Sequence, residues 1–325
     1  MDNLPQSHPA SLGQQFTTGI LHKWACYFQV GFLFAVPEFL IRSNSKNFVL
    51  WNASMNKLLS PAFNPSFPVD FVPLAGSIKD CEDCGQAESV GFQFDYAYQP
   101  IVDIAQKKVF AHEALIRGPH GESASSVLSQ VTEQNRYRFD QACRVKAIKG
   151  AKALGIQECI SINFLPNAIY KPELCIRTTL AAAQANSFAL DHIIFEVTEG
   201  ERVEDGPWFA EILREYKRCG FKTAIDDFGA GYAGMKLLAD FQPDIIKIDM
   251  DLIRGIQQSP ARKSIVRALV KLCEEMKIIV VAEGVESSGE REFLRDAGIS
   301  LMQGYLFAKP AFHAVAQIDT AALGE

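Results

Sequence analysis

From Phe92 to Phe307 the chain alternates between short apolar runs with strand character and amphipathic runs with helical spacing. No other feature restricts its folding as much. FQFDYAYQPIVDI (92–104) and KVFAHEALIRG (108–118) are strand-like and separated by Ala105-Gln106-Lys107, which predicts an opening hairpin. Strands are then expected at 158–165, 192–199, Phe221–Asp226, 243–250 and 277–286, with a short run at 299–307. Helices are expected between them, near 123–133, 136–154, 172–186, 207–219, 232–239, 260–276 and 288–297. Strand–helix alternation predicts a parallel sheet with helical crossovers, and seven or eight such units favour closure over an open sheet. The expected fold is therefore α/β, a TIM-like (β/α)8 barrel with one antiparallel strand contributed by the hairpin.

The chain ahead of this region has no such pattern. Residues 1–91 are expected to be a poorly defined N-terminal extension, polar with Pro5 and Pro9 at its start and rich in Asn, Ser and Pro over 43–76. WACYFQVGFLFAVPEFLI (24–41) is long enough to raise the question of a membrane span, but Gln29, Pro37 and Glu38 interrupt it. A packed or poorly ordered extension of unknown role, partly disordered, is favoured over membrane contact. Cys81 and Cys84 form a CxxC with no second pair or nearby histidines to complete a zinc site. Two exposed thiols are the plain reading, with a shared metal or a redox switch as alternatives. The region 92–316 is expected to form the barrel and 317–325 a C-terminal tail.

Net charge is −6, so no overall basic field draws the chain to a DNA or RNA polymer or to anionic lipid. Eight cysteines in 325 residues do not make a disulfide framework, and most sit in apolar runs, which fits a reducing cytoplasm.

In a barrel of this kind, side chains at the C-terminal ends of the strands converge on one mouth. Reading those ends gives Glu113, Asn163, Glu196, Asp226 with Asp227, Lys247 with Asp249, Glu283 and Gln303. A carboxylate at one strand end is ordinarily solvated. Five apolar runs (INF, IIFE, TAID, IIKID, VVAE) that each deliver an acid, amide or amine to one cavity are another matter, because the acids would repel severely without a cation. The ligands are hard oxygens, with no clustered His or Cys, and this favours magnesium or manganese over structural zinc. There are more carboxylates than one ion needs, and Asp226 could bridge. Two ions about 3.5–4 Å apart would suit phosphodiester hydrolysis. Lys247 could hold a nucleophilic water and offset phosphate charge, or form a structural salt bridge to Asp249 two residues on. A barrel glycosidase using a pair such as Glu196 and Glu283 is a further reading, but it leaves Asp226-Asp227, Asn163 and Lys247 without a shared purpose.

YQPIVD (98–103), EALIRG (113–118), INFLP (162–166), FEVTEG (195–200), DDFGAG (226–231), IKID (246–249), VAEGVE (281–286) and QGYLFAKP (303–310) together resemble the EAL-domain cyclic di-GMP phosphodiesterases. The resemblance covers roughly 92–316. It implies a barrel that hydrolyses cyclic di-GMP to linear pGpG with two Mg2+ or Mn2+ ions. Glu113, Asn163, Glu196 and Asp226 would hold the first ion, and Asp226, Asp227 and Glu283 the second. Lys247 would position the attacking water, and Glu199 would brace the loop after the Asp-Asp pair. That loop, near 228–236, builds a dimer contact in the family, so a homodimer is expected. Gln99, Arg117 and Gln303 would contact substrate, and Leu115 would line the base pocket. Two departures stand out. The family's DDFGTGYSS reads DDFGAGYAG here, with Ala230, Ala233 and Gly234 in place of hydroxyl residues, and Arg117 is followed by Gly118-Pro119 in place of tryptophan. Lost loop hydroxyls bear on turnover and dimer coupling, which keeps a receptor that binds without hydrolysis as the alternative.

Overall fold

The computed structural model describes residues 90–169, 171–198, 206–231 and 234–324. The extension, its apolar stretch and the Cys81/Cys84 pair lie outside these residues, as do Glu199 and two residues of the loop after the Asp-Asp pair, 232 and 233.

The chain enters the fold through a hairpin of β1 (Asp95–Asp103) and β2 (Lys108–Arg117), paired antiparallel with Gln99 opposite Glu113. The turn is set by Asp103, whose Oδ1 accepts from the backbone N–H groups of Ala105 and Gln106, while Lys107 takes φ +52°. Six parallel strands follow: β3 (Cys159–Asn163), β4 (Ile193–Thr198), β5 (Lys222–Phe228), β6 (Ile245–Ile248), β7 (Ile279–Ala282) and β8 (Leu301–Met302). Each pairs with the next in parallel, and β8 closes on β1 antiparallel, Val102 opposite Met302. The result is a closed eight-stranded barrel with β1 as its antiparallel member, the α/β TIM-like fold expected from the alternation. A short β9 (Ala311–Phe312) adds to the outside of β1.

The helices lie between the strands: α1 (Ala124–Leu128), α2 (Arg136–Ala153), α3 (Pro172–Cys175), α4 (Arg177–Ala185), α5 (Gly206–Arg218), α6 (Gly234–Asp240), α7 (Met250–Ile253), α8 (Pro260–Met276) and α9 (Ser288–Asp296). The first expected helix is shorter than its sequence run, and the helix expected over 172–186 breaks into α3 and α4. The run at 299–307 yields only two residues of strand. After Gln303 it turns, because Gly304 packs on the Val285 backbone so closely that a Cβ there would collide with it.

The barrel interior begins with an apolar layer made by one residue from each strand: Ile101, Ala111, Cys159, Ile194, Ala224, Ile245, Val281 and Leu301. Side chains two residues apart share a strand face. One pleat toward the C-terminal ends of the parallel strands therefore stand Ser161, Glu196, Asp226, Lys247, Glu283 and Gln303, joined by Glu113 on β2 and Gln99 on the reversed β1. The apolar layer closes the barrel beneath a polar one. That second layer is the site.

Candidate metal and substrate site

Lys247 is the centre of the polar layer. Its side chain is 1% exposed, and its Nζ lies 2.6 Å from Glu283 Oε1, 3.0 Å from Glu196 Oε2, 3.1 Å from Asp226 Oδ1 and 3.5 Å from Glu113 Oε2. Burial alone would push the ammonium's pKa down. The surrounding Asp226, Glu113, Glu196 and Glu283 outweigh that and hold it well above its ordinary value. The salt bridge to Asp249 is not among its contacts. Asp249 lies just past β6, where its side chain caps α7 by accepting from the Asp251 backbone at 2.8 Å.

The carboxylates form two overlapping groups whose oxygens lie within 4.8 Å of one another: Glu113, Glu196 and Asp226, and Asp226, Asp227 and Glu283. Asp226 belongs to both. Burial pushes the carboxyls of Glu196 and Glu283 well up, with Lys247 acting against it and neighbouring acids adding to it. Asp227 is raised to about 6 by burial first, then by Asp226 and Asp249. Buried acids that repel one another in this way are suited to a hard divalent cation, and the all-oxygen donor set fits one. Asp227 is positioned by an unusual backbone, φ +53°, and the turn continues through Gly229 at φ +100°, where a Cβ would strike Leu252.

Amides complete the layer. Gln303 Nε2 donates to Glu113 Oε2 at 2.7 Å and to Gln99 Oε1 at 3.2 Å, and Gln99 Nε2 donates to the Ala308 carbonyl at 3.1 Å. Asn163 stands one pleat beyond Ser161, at the exposed end of β3, and still reaches Glu113 Oε1 through its Nδ2 at 3.2 Å. In the parallel ladder Asn163 stands opposite Glu196 of β4.

Beside the acids opens a cleft of about 360 Å³, lined by Leu115, Arg117, Asn163, Leu165, Asp140 and Thr198 among others. Arg117 spends Nη1 on the Ile116 carbonyl at 2.7 Å. Behind the cleft is a buried group that sequence reasoning missed. Arg144 on α2 pairs with Asp140 at 2.7 Å, donates to the Tyr216 hydroxyl at 2.8 Å, and lies over the rings of Phe164 and Phe195. Asp140 Oδ1 in turn accepts from the Leu165 backbone at 2.9 Å, two residues past Asn163. The four-residue spacing of Asp140 and Arg144 inside an apolar helix face was the available cue.

The EAL domain family model matches residues 87–310. This chain belongs to that family. It is 34% identical over 244 residues to the blue light- and temperature-regulated antirepressor BluF of Escherichia coli, covering 75% of this chain and 60% of BluF. Cyclic di-GMP phosphodiesterase PdeR of the same organism is 38% identical over 127 residues, 39% of this chain and 19% of PdeR. The chain thus spans less than two thirds of the length of both. Among solved structures, a standalone EAL protein from Vibrio cholerae O395 in its c-di-GMP-bound form is 52% identical, with a TM-score of 0.70 over 72% of this chain and 99% of that one. Klebsiella pneumoniae BlrP1 in a manganese/cyclic di-GMP complex is 38% identical, with a TM-score of 0.66 over 70% of this chain and 58% of that one. Among the described residues, no helix is long and apolar enough to cross a membrane.

Proposed function

We propose that this chain is a phosphodiesterase that hydrolyses cyclic di-GMP to linear pGpG with the help of two divalent cations, Mg2+ or Mn2+. The observation that carries the reading is the pair of carboxylate groups sharing Asp226, with Lys247 in contact with both. Glu113, Asn163, Glu196 and Asp226 would hold one ion, and Asp226, Asp227 and Glu283 the other. Bound there, the ions would activate a water near neutral pH and stabilise charge on the attacking and leaving oxygens. The likeness to cyclic di-GMP-bound EAL proteins supports the substrate.

The chain's own residues do the rest. Arg117, at the end of β2 beside the cleft, offers its remaining N–H donors to a phosphate, and a planar guanidinium fork suits two phosphate oxygens. Leu115 supplies apolar wall to a base. Lys247 orients the attacking water while its carboxylate partners restrain it. Gln303 and Asn163 fix the Glu113 carboxylate, and Gln99 and Gln303, bonded to each other, would contact the substrate. By the family's pattern Glu199 would brace the turn after Asp227, and the loop near 228–236 would carry a homodimer contact. The role of the extension ahead of the barrel is left open by this reading.

A receptor that binds cyclic di-GMP without hydrolysing it is the second reading. It is favoured by the match to BluF, named as an antirepressor, and by Ala230 in a turn where the family carries a hydroxyl. Incubation of the purified chain with cyclic di-GMP and Mn2+ or Mg2+, followed by chromatography for pGpG, separates the two. Metal-dependent pGpG that is lost on chelation and in Asp226→Asn is the expected result. Binding with no product overturns the enzyme in favour of the receptor.

A further inference from the structure

The Lys247 ammonium touches every acid of the first carboxylate group and two of the three in the second. It does so from a side chain that is 1% exposed and rooted in β6. An ammonium has three N–H donors, so four carboxylates over-subscribe it. The four come from β2, β4, β5 and the end of β7, and among the described residues Lys247 is the positive group that links them across the barrel.

From this geometry we propose that Lys247 is a tethered cation that competes with divalent metal for these carboxylates and so sets the affinity of the site. The inference rests on the metal reading of the site and deepens it. Oxygens that hold Mg2+ approach to about 2.0–2.1 Å and turn their lone pairs to the ion. Carboxylates directed at an ammonium 2.6–3.5 Å away have part of that capacity already engaged. A metal ion entering the first group meets the ammonium's charge at close range and must draw Glu113, Glu196 and Asp226 from it. Removing the ammonium removes the competitor and leaves carboxylates that need a cation more.

The consequence is opposite to that of a lysine serving only to position a water, whose loss would leave metal uptake unchanged. It also differs from a merely structural lysine, whose loss would loosen the donors and weaken the metal. For Lys247→Met, Mn2+ is expected to bind more tightly by about tenfold or more, from the removal of a like charge within a few ångströms.

The test is calorimetric titration of MnCl2 into the chelator-treated full-length chain, without nucleotide, for the wild type and Lys247→Met. Lys271→Met, which removes the same charge from an exposed helix face, is the control. Thermal unfolding of each with and without MnCl2 runs alongside. Tighter Mn2+ binding and a larger Mn2+-dependent rise in Tm for Lys247→Met alone support the proposal. So does a Lys247→Met chain that folds only when MnCl2 is present. Equal or weaker binding than the wild type overturns it. Failure to fold in either condition also overturns it, because Mn2+ should neutralise the acids that the ammonium neutralised. A wild-type chain that takes up no Mn2+ overturns the metal reading itself, a result distinct from equal binding in the two proteins.

Discussion

Gln303 donates to Glu113 across the seam where the barrel closes, Nε2 to Oε2 at 2.7 Å, and joins the exit of the last barrel strand to the second. Glu113 also receives Asn163 on its other oxygen. The two amides fix the plane of a carboxylate that faces Lys247 and belongs to the first carboxylate group. Gln303→Leu should leave Glu113 with one amide partner and cost about 1.5–3 kcal/mol, the range for a hydrogen bond to a charged group. Urea unfolding would read that loss. The proposed turnover of cyclic di-GMP should fall as well, and a variant with unaltered stability and rate would show that the contact does not hold the carboxylate.

The acids of the site make stability depend on pH in a definite direction. Asp227 is raised to about 6 in the fold, against about 3.9 for an ordinary aspartate. The folded chain therefore holds this proton more tightly than the unfolded chain does. Its stabilising contribution is full below pH about 4 and is lost as pH rises through about 6. Glu196 and Glu283, both raised, extend the decline to higher pH. In chelator-treated protein, the wild type should lose more Tm than Asp227→Asn between pH 4.5 and 7. Mn2+ should flatten the difference and bind more tightly as the pH rises, since protons and the ion compete for the same oxygens. Parallel Tm curves for the two proteins would sink this account.

Arg144 and Asp140 are both buried, at 0% and 2% exposure. Removing the guanidinium alone strands a carboxylate away from water, so Arg144→Met should cost about 3–5 kcal/mol. Replacing both members, Asp140→Leu with Arg144→Met, should be less destabilising than Arg144→Met alone. Denaturant midpoints of the two variants decide the matter. Equal losses would mean that packing over Phe164 and Phe195, and not the stranded charge, sets the cost.

Glu290 ties the loop after β7 to the start of α9. Its carboxylate accepts from the backbone N–H groups of Gly255, Glu286 and Ser287, while Ser287 caps the helix in return. Burial would raise its pKa, but these hydrogen bonds outweigh it and hold the carboxyl below its usual range. A depressed carboxyl stabilises the fold above its unfolded pKa, near 4.3, and that stability is lost as pH falls through the folded value. Glu290→Ala should cost about 1–3 kcal/mol at neutral pH and progressively less in acid. Because Glu283 sits in the same loop, Mn2+ affinity should fall with it. A pH-independent loss would point to the helix cap alone.

The amino-acid sequence by itself determined the closed α/β barrel, since alternating strand and helix runs leave few other ways to bury the strands. It also determined the reversed first strand, through the short hairpin turn, and most of the polar layer. A period of two carries each apolar interior residue to a polar one near the strand's exit, as in Ile194 to Glu196 and Ala224 to Asp226. Local spacing is blind to what meets across the barrel. Only the tertiary structure decided that Lys247 faces Glu113, Glu196, Asp226 and Glu283 while Asp249 leaves to cap a helix. It alone decided that β3 enters the layer with Ser161, that Gln303 serves Glu113, and that Arg144 and Asp140 are paired out of water behind the cleft. Most of these are contacts between residues about twenty to nearly two hundred positions apart, or matters of which helix face is buried. Closure of the barrel, through strand stagger and pleat, places them.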